Sequence, residues 1–143
     1  MSNDVLTVTT GLGDFEVSER DIVLFPRGLP GFERCRRFVL LSHETFAPLS
    51  CLHAVDGPDA TFLAVDPRNI VAEYECTLQP DERAQVNAEP DTPLVWLVLL
   101  AYTGDDVLTA NLRAPVVINP ASMCGAQFVV DDERYTVSHE LAA

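Results

Sequence analysis

LVWLVLLAY, residues 94–102, is the longest uninterrupted apolar run in the chain. Nine residues fall far short of the ~20 that a helix needs to cross a bilayer. A strand that is apolar at both odd and even positions puts hydrophobic groups on both of its faces. Such a strand is expected to be central in a sheet and covered on both sides. Trp96 then reads as a core anchor, and a stacking platform for a base or sugar is the sharper alternative.

Working outward, the chain is a succession of short β-rich runs separated by Pro, Gly, Asn and Asp. Alternation is clearest over 5–9 and 14–18, around a turn at Gly11-Leu12-Gly13. Further strands are expected over 21–25, 38–41, 51–55, 61–65, 73–78, 95–102, 109–112, 116–119, 127–130 and 135–137. Long 3.6-residue periodicity is missing. One or two helical turns are expected over 80–87, where Pro80, Asp81 and Glu82 supply N-terminal chemistry and Asn87 a stop. The fold class is therefore all-β: a small antiparallel barrel, or a barrel-like two-sheet sandwich, with at most one or two short helical turns. At 143 residues and 48% hydrophobic, with no linker or repeat, one domain over 1–143 is expected.

The charge is lopsided. Twenty-two acidic residues face nine basic ones, a net charge of −13, and every basic residue is arginine. Direct binding to nucleic acid is disfavoured, because phosphate neutralisation by cations supplies most of that affinity. A basic protein partner fits the field better. Arg20, Arg27, Arg34, Arg36 and Arg37 crowd into one stretch, so the field is not uniform. No basic and apolar leader opens the chain, and a cytoplasmic location is expected.

Catalytic and cofactor signals are weak. Without lysine there is no P-loop nucleotide site and no Schiff-base chemistry. Cys35, Cys51, Cys76 and Cys124 form no C-x-x-C pair, and His43, His53 and His139 are scattered, so no metal site is expected. The four thiols read as small core hydrophobes. Ser42-His43-Glu44 and Ser138-His139-Glu140 resemble relays only on paper, because neighbours on a strand point to opposite faces. Asp105-Asp106 and Asp131-Asp132-Glu133 lack calcium-loop spacing and read as solvated turns.

FPRGLPGFE, residues 25–33, concentrates turn chemistry and apolar surface. A phosphate loop would need a helix after it, and a β-like run follows instead. Two successive turns fit better, with proline pre-setting φ and glycine accepting positive φ. Leu29 and Phe32 are expected to anchor them in the core. Residues and spacing alone thus describe an acidic, cytosolic, all-β binding module rather than an enzyme.

The order of motifs resembles that of the FliW family of flagellar assembly factors. The signature is carried by Phe25, Gly28, Leu29, Pro30, Gly31, Phe32 and Glu33, followed by Phe38-Val-Leu-Leu. Leu52-His-Ala-Val-Asp56, Phe62-Leu-Ala-Val-Asp-Pro67 and Tyr74-Glu75 fit the family's next segments in order. The segment TANLRAPVVIN, with Asn111, Leu112, Pro115 and Asn119, follows, and Gly125-Ala-Gln127 through Tyr135 resembles the family's ending. The likeness spans about residues 5–140. His53-Ala54 replaces the usual Gln-Ser, and the lysines common in relatives are missing.

The resemblance implies a non-enzymatic cytoplasmic protein with a small β-barrel-like fold and no cofactor. It implies two partners: flagellin, through its terminal segments, and the RNA-binding translational regulator CsrA. Export of flagellin would free the protein to capture CsrA, and so relieve repression of flagellin synthesis. Glu73, Glu75, Asp81 and Glu82 group around the expected strand at 73–78 and the short helix, and are the expected CsrA face; the alternative is an acidic rim with no partner. Two other classes stay open: a small-ligand β-barrel with an internal cavity, and a hydrolase using a His/Glu pair.

Overall fold

A computed structural model of the chain describes residues 5–10, 13–56, 60–104 and 106–141. Gly11 and Leu12 of the expected first turn, and Asp105 of the first carboxylate pair, lie outside the described residues. β1 (Val5–Thr10) and β2 (Gly13–Ser18) pair antiparallel as a separate two-stranded sheet.

The main sheet closes on itself. Its ring contains β3 (Ile22–Leu24), β4 (Arg37–Ser42), β5 (Ser50–Ala54), β6 (Thr61–Val65) and β7 (Val95–Tyr102). β9 (Val116–Asn119) and β10 (Cys124–Gln127) complete it, in the order β7-β6-β5-β4-β3-β10-β9 with β9 returning to β7. The result is a closed seven-stranded barrel. β8 (Leu108–Ala110) extends from β7, and β11 (His139–Glu140) pairs with β8. Among the described residues every strand pairing is antiparallel except β3 with β10, where Leu24 lies beside Cys124 in a parallel seam.

Burial on both faces of the strands explains their continuous hydrophobic character. Along β4 and β5, Phe38, Leu52 and Ala54 turn inward, while Val39, Leu41 and Cys51 turn outward beneath Val8 and Val17 of the hairpin. On β7 and β9, Leu97, Val116 and Ile118 join the interior with Phe25, Leu29 and Cys35. Outside, Trp96 and Val117 pack with Phe128 and with Leu78 and Val86, which flank α1 (Pro80–Gln85) in the chain. Trp96 is therefore an anchor of the outer layer, only half-buried, rather than of the barrel interior. β7 is covered through Leu100, but Ala101 is exposed and Tyr102 is 67% exposed, so the run emerges at its end.

Several expected elements change character. Residues 73–78 form no strand: no neighbouring strand pairs with them, and of their amides the one at Glu75 is met by a tyrosine hydroxyl. Tyr135 Oη lies 2.9 Å from the Glu75 amide that donates to it, and Tyr74 Oη donates to the Leu112 carbonyl at 2.8 Å. The two tyrosine rings lie 4.5 Å apart between centroids, tilted by 35°. The ladder expected over 127–130 lies earlier, over Cys124–Gln127, and the stretch 135–137 is replaced by a strand at His139–Glu140. The expected helix is present: Glu82 Oε1 accepts from the Gln79 amide at 2.8 Å, closing its N-terminus, and Asn87 at φ +56° follows its end.

Candidate functional site

The signature loop is a double turn, as its residues dictate. The Gly28 amide donates to the Phe25 carbonyl at 2.8 Å, with Pro26 in the second position. Gly28 itself sits at φ +63°, and a Cβ there would lie 2.6 Å from the Phe32 carbonyl oxygen. The second turn runs Leu29-Pro30-Gly31-Phe32, closed by the Phe32 amide on the Leu29 carbonyl at 2.7 Å, with Gly31 at φ +85°. Glu33 Oε1 accepts from the Gly31 amide at 3.3 Å. Leu29 and Phe25 are buried in the barrel interior. Phe32 is not: it is 36% exposed and meets Phe62 edge-on at 5.1 Å. The turn directs Phe32 across the surface instead of inward, which corrects its expected role as a core anchor.

Around this double turn lies a cleft of about 430 Å³, lined by Pro26, Arg27, Pro30, Glu33, Gln85 and Gln127, with Gly28 and Gly125 among its walls. The exposed Arg27 and Glu33 give it both charges.

Motif residues 111–119 have structural work. Asn111 Oδ1 accepts from the Ala114 amide at 3.1 Å, and Leu112 is buried. The Pro115 carbonyl accepts from the Phe128 amide at 3.0 Å. Asn119, 1% exposed, donates Nδ2 to the Val86 carbonyl at 2.8 Å and the Asn87 carbonyl at 3.2 Å. Its Oδ1 accepts from the Ala121 amide at 3.0 Å, so every polar atom of the side chain is paired. Asn119 thereby ties the end of α1 to the barrel.

Of the expected acidic face, Glu73, Glu75 and Asp81 are exposed and Glu82 is half-buried in its capping bond. Glu75 and Glu82 line a groove of about 400 Å³, together with Thr77, Val129, Asp131 and Asp132. Glu73 and Asp81 are not part of its wall. Asp131 and Asp132, remote in sequence, join instead. Asp132 pairs with Arg134 at 2.7 Å; hydrogen bonds and the charge of that guanidinium hold its carboxyl below the usual range.

The histidines are spread. His43 is exposed and its Nδ1 lies 2.9 Å from Thr45 Oγ1, while His139 sits half-buried on β11. His53 is buried, 2.6 Å from Thr61 Oγ1. Among the described residues, no three His, Cys, Asp or Glu gather in a way that would hold a metal ion. Cys35, Cys51 and Cys124 are buried and Cys76 is half-buried, and burial pushes all four thiols up. The barrel interior is filled by side chains, Phe25 and Phe38 among them, which disfavours the small-ligand barrel.

Comparison with known proteins gives the same outline. The family model described as FliW protein matches residues 7–141. The flagellar assembly factor FliW of Geobacillus kaustophilus is 37% identical over 131 residues, covering 90% of each chain. That of Clostridium botulinum strain Langeland is 31% identical, covering 90% of this chain and 91% of the relative. A crystal structure of the flagellar assembly factor FliW superposes with a TM-score of 0.84 at 32% identity, covering 96% of this chain and 98% of that one. With its signature double turn, its filled barrel and this match along nearly its whole length, the chain belongs to the FliW family.

Proposed function

We propose that the protein is a non-enzymatic flagellar assembly factor of the cytoplasm, formed by one domain over 1–143. It binds flagellin through the terminal segments of that protein, and it antagonises the translational regulator CsrA by exchanging one partner for the other. The observation that carries this reading is the family match over residues 7–141, together with relatives named as flagellar assembly factors. The charge of −13 supports the CsrA half, because an RNA-binding regulator presents a basic surface that such a field attracts. Glu73, Glu75, Asp81 and Glu82 supply the acidic face.

Calorimetry with the cognate flagellin and with CsrA, each at two salt concentrations, tests it. Binding of both is expected, with the CsrA affinity falling as salt rises. Absence of heat with either protein defeats the partner switch. A CsrA affinity unmoved by salt defeats its electrostatic part.

A further inference from the structure

Two segments with strand-like sequence, 75–78 and 128–131, face one groove without joining each other. Side chains pin the first at its ends. The Tyr135 hydroxyl accepts from the Glu75 amide, and an Arg83 guanidinium nitrogen donates to the Leu78 carbonyl at 3.0 Å. Between these points, the amides and carbonyls of Cys76 and Thr77 have no hydrogen-bond partner within the described residues. The second segment is held on one edge only. The Phe128 and Val130 amides donate to the Pro115 and Arg113 carbonyls at 3.0 and 2.8 Å. Backbone alternation turns the amides of Val129 and Asp131 the other way, where they too lack a partner among those residues.

An unpaired edge is a template for another chain. Val129 is 75% exposed there, a β-branched residue beside an open backbone. The groove between the edges measures about 400 Å³, within the range of ligand clefts. Its rim decides the sign of the occupant. Glu75, Glu82, Asp131 and Asp132 line it, against Arg134 alone. Glu82 is engaged by the Gln79 amide and Asp132 by Arg134, which leaves Glu75 and Asp131 as the carboxylates open to a newcomer.

We infer that this groove is a slot for an extended, basic peptide segment of a partner protein, which pairs with the open edge at 129–131 by β-addition. Main-chain hydrogen bonds supply the affinity, and the acidic rim selects lysine or arginine at alternate positions. Nucleic acid is repelled by the same rim. The inference rests on the reading of Glu75 and Glu82 as part of a partner face, and adds the mode of binding and the contribution of Asp131.

The test uses the whole chain and a synthetic octapeptide of alternating threonine and lysine, followed by amide hydrogen exchange. Exchange at Val129 and Asp131 is expected to slow about tenfold at saturation, with Thr77 following if both edges engage. A threonine–glutamate octapeptide is expected not to bind. N-methylation along one edge of the lysine peptide is expected to abolish protection, and along the other to leave it intact. The double variant Glu75→Lys, Asp131→Lys is expected to weaken the peptide about tenfold with an unchanged melting temperature. Protection elsewhere on the surface, equal binding of the glutamate or fully N-methylated peptide, or preferential binding of an RNA oligomer overturns the slot. Heat with flagellin and CsrA alongside any of these results leaves the partner-switch reading standing, and peptide protection without that heat removes the switch alone.

Discussion

Gly125 lies against the ring of Phe25: a Cβ built there would stand 2.7 Å from Cζ and 2.9 Å from Cε1. Phe25 cannot retreat easily, because it is fully buried and its ring meets that of Phe38 at 5.0 Å. Gly125→Ala therefore overpacks the barrel where β10 passes the signature loop. A loss of ~1–3 kcal/mol is expected. Urea denaturation reads it as a lower midpoint with an unchanged slope. The double variant with Phe25→Leu is expected to lose less than the sum of the two single variants, since the smaller side chain vacates the space the methyl enters.

Two glycines of the same loop separate strain from collision. Gly31 is at φ +85° with nothing within 4 Å of a would-be Cβ, whereas Gly28 is at φ +63° with backbone of Phe32 and Glu33 at 2.6 and 2.7 Å. Gly31→Ala is expected to cost about 1 kcal/mol, the ordinary penalty of a left-handed conformation. Gly28→Ala adds a collision with main chain that cannot rotate aside, and is expected to cost at least twice as much. Thermal melting of the two variants side by side checks the order.

Asp66 gives a pH dependence of definite sign. Burial pushes its carboxyl up, but hydrogen bonds from the Arg68 side chain and backbone, with the guanidinium charge, outweigh it and hold the group below its ordinary 3.8. The folded pKa is thus below the unfolded one. The pair's contribution is present in full above the unfolded value and is lost as pH falls through the folded value, so it fades below about pH 4. In Arg68→Gln only burial and the backbone bond remain. A carboxyl-carbon NMR titration is expected to show the Asp66 midpoint below 3.8 in the natural protein and clearly higher in the variant; an unmoved midpoint refutes the pair.

Legibility in the sequence followed the range of the interaction. Alternation exposed β1 and β2, and the run at 94–102 announced a strand packed on both faces, which holds as far as Leu100, because those signals are local. The parallel contact of Leu24 with Cys124 joins residues a hundred positions apart and has no local mark. Residues 73–78 look like a strand because β-propensity records a fit to a pleated surface, not the presence of a partner; no strand pairs with them, and the Glu75 amide meets the Tyr135 hydroxyl. Phe32 misled for a related reason, since an aromatic residue after a Pro-Gly turn has two directions open to it. The acidic groove was half visible: Glu75 and Glu82 lie close in sequence, but Asp131 and Asp132 arrive through the fold.

Asn119 distinguishes architecture from contact. It is buried and fully paired, and it holds the carbonyls of Val86 and Asn87 at the end of α1, the helix that begins with Asp81 and Glu82. Ser122 Oγ also donates to the Val86 carbonyl, at 3.1 Å, so loss of the asparagine leaves the Asn87 carbonyl and the Ala121 amide unpaired while Val86 keeps one partner. Asn119→Ala is expected to cost ~1–3 kcal/mol. Hydrogen exchange locates the effect: amides of α1 are expected to lose protection before those of β4 and β5, which pack under the hairpin on another side of the barrel. If Asn119 were instead a partner contact, the variant would keep its stability and lose only binding. The two outcomes are separated by one melting curve.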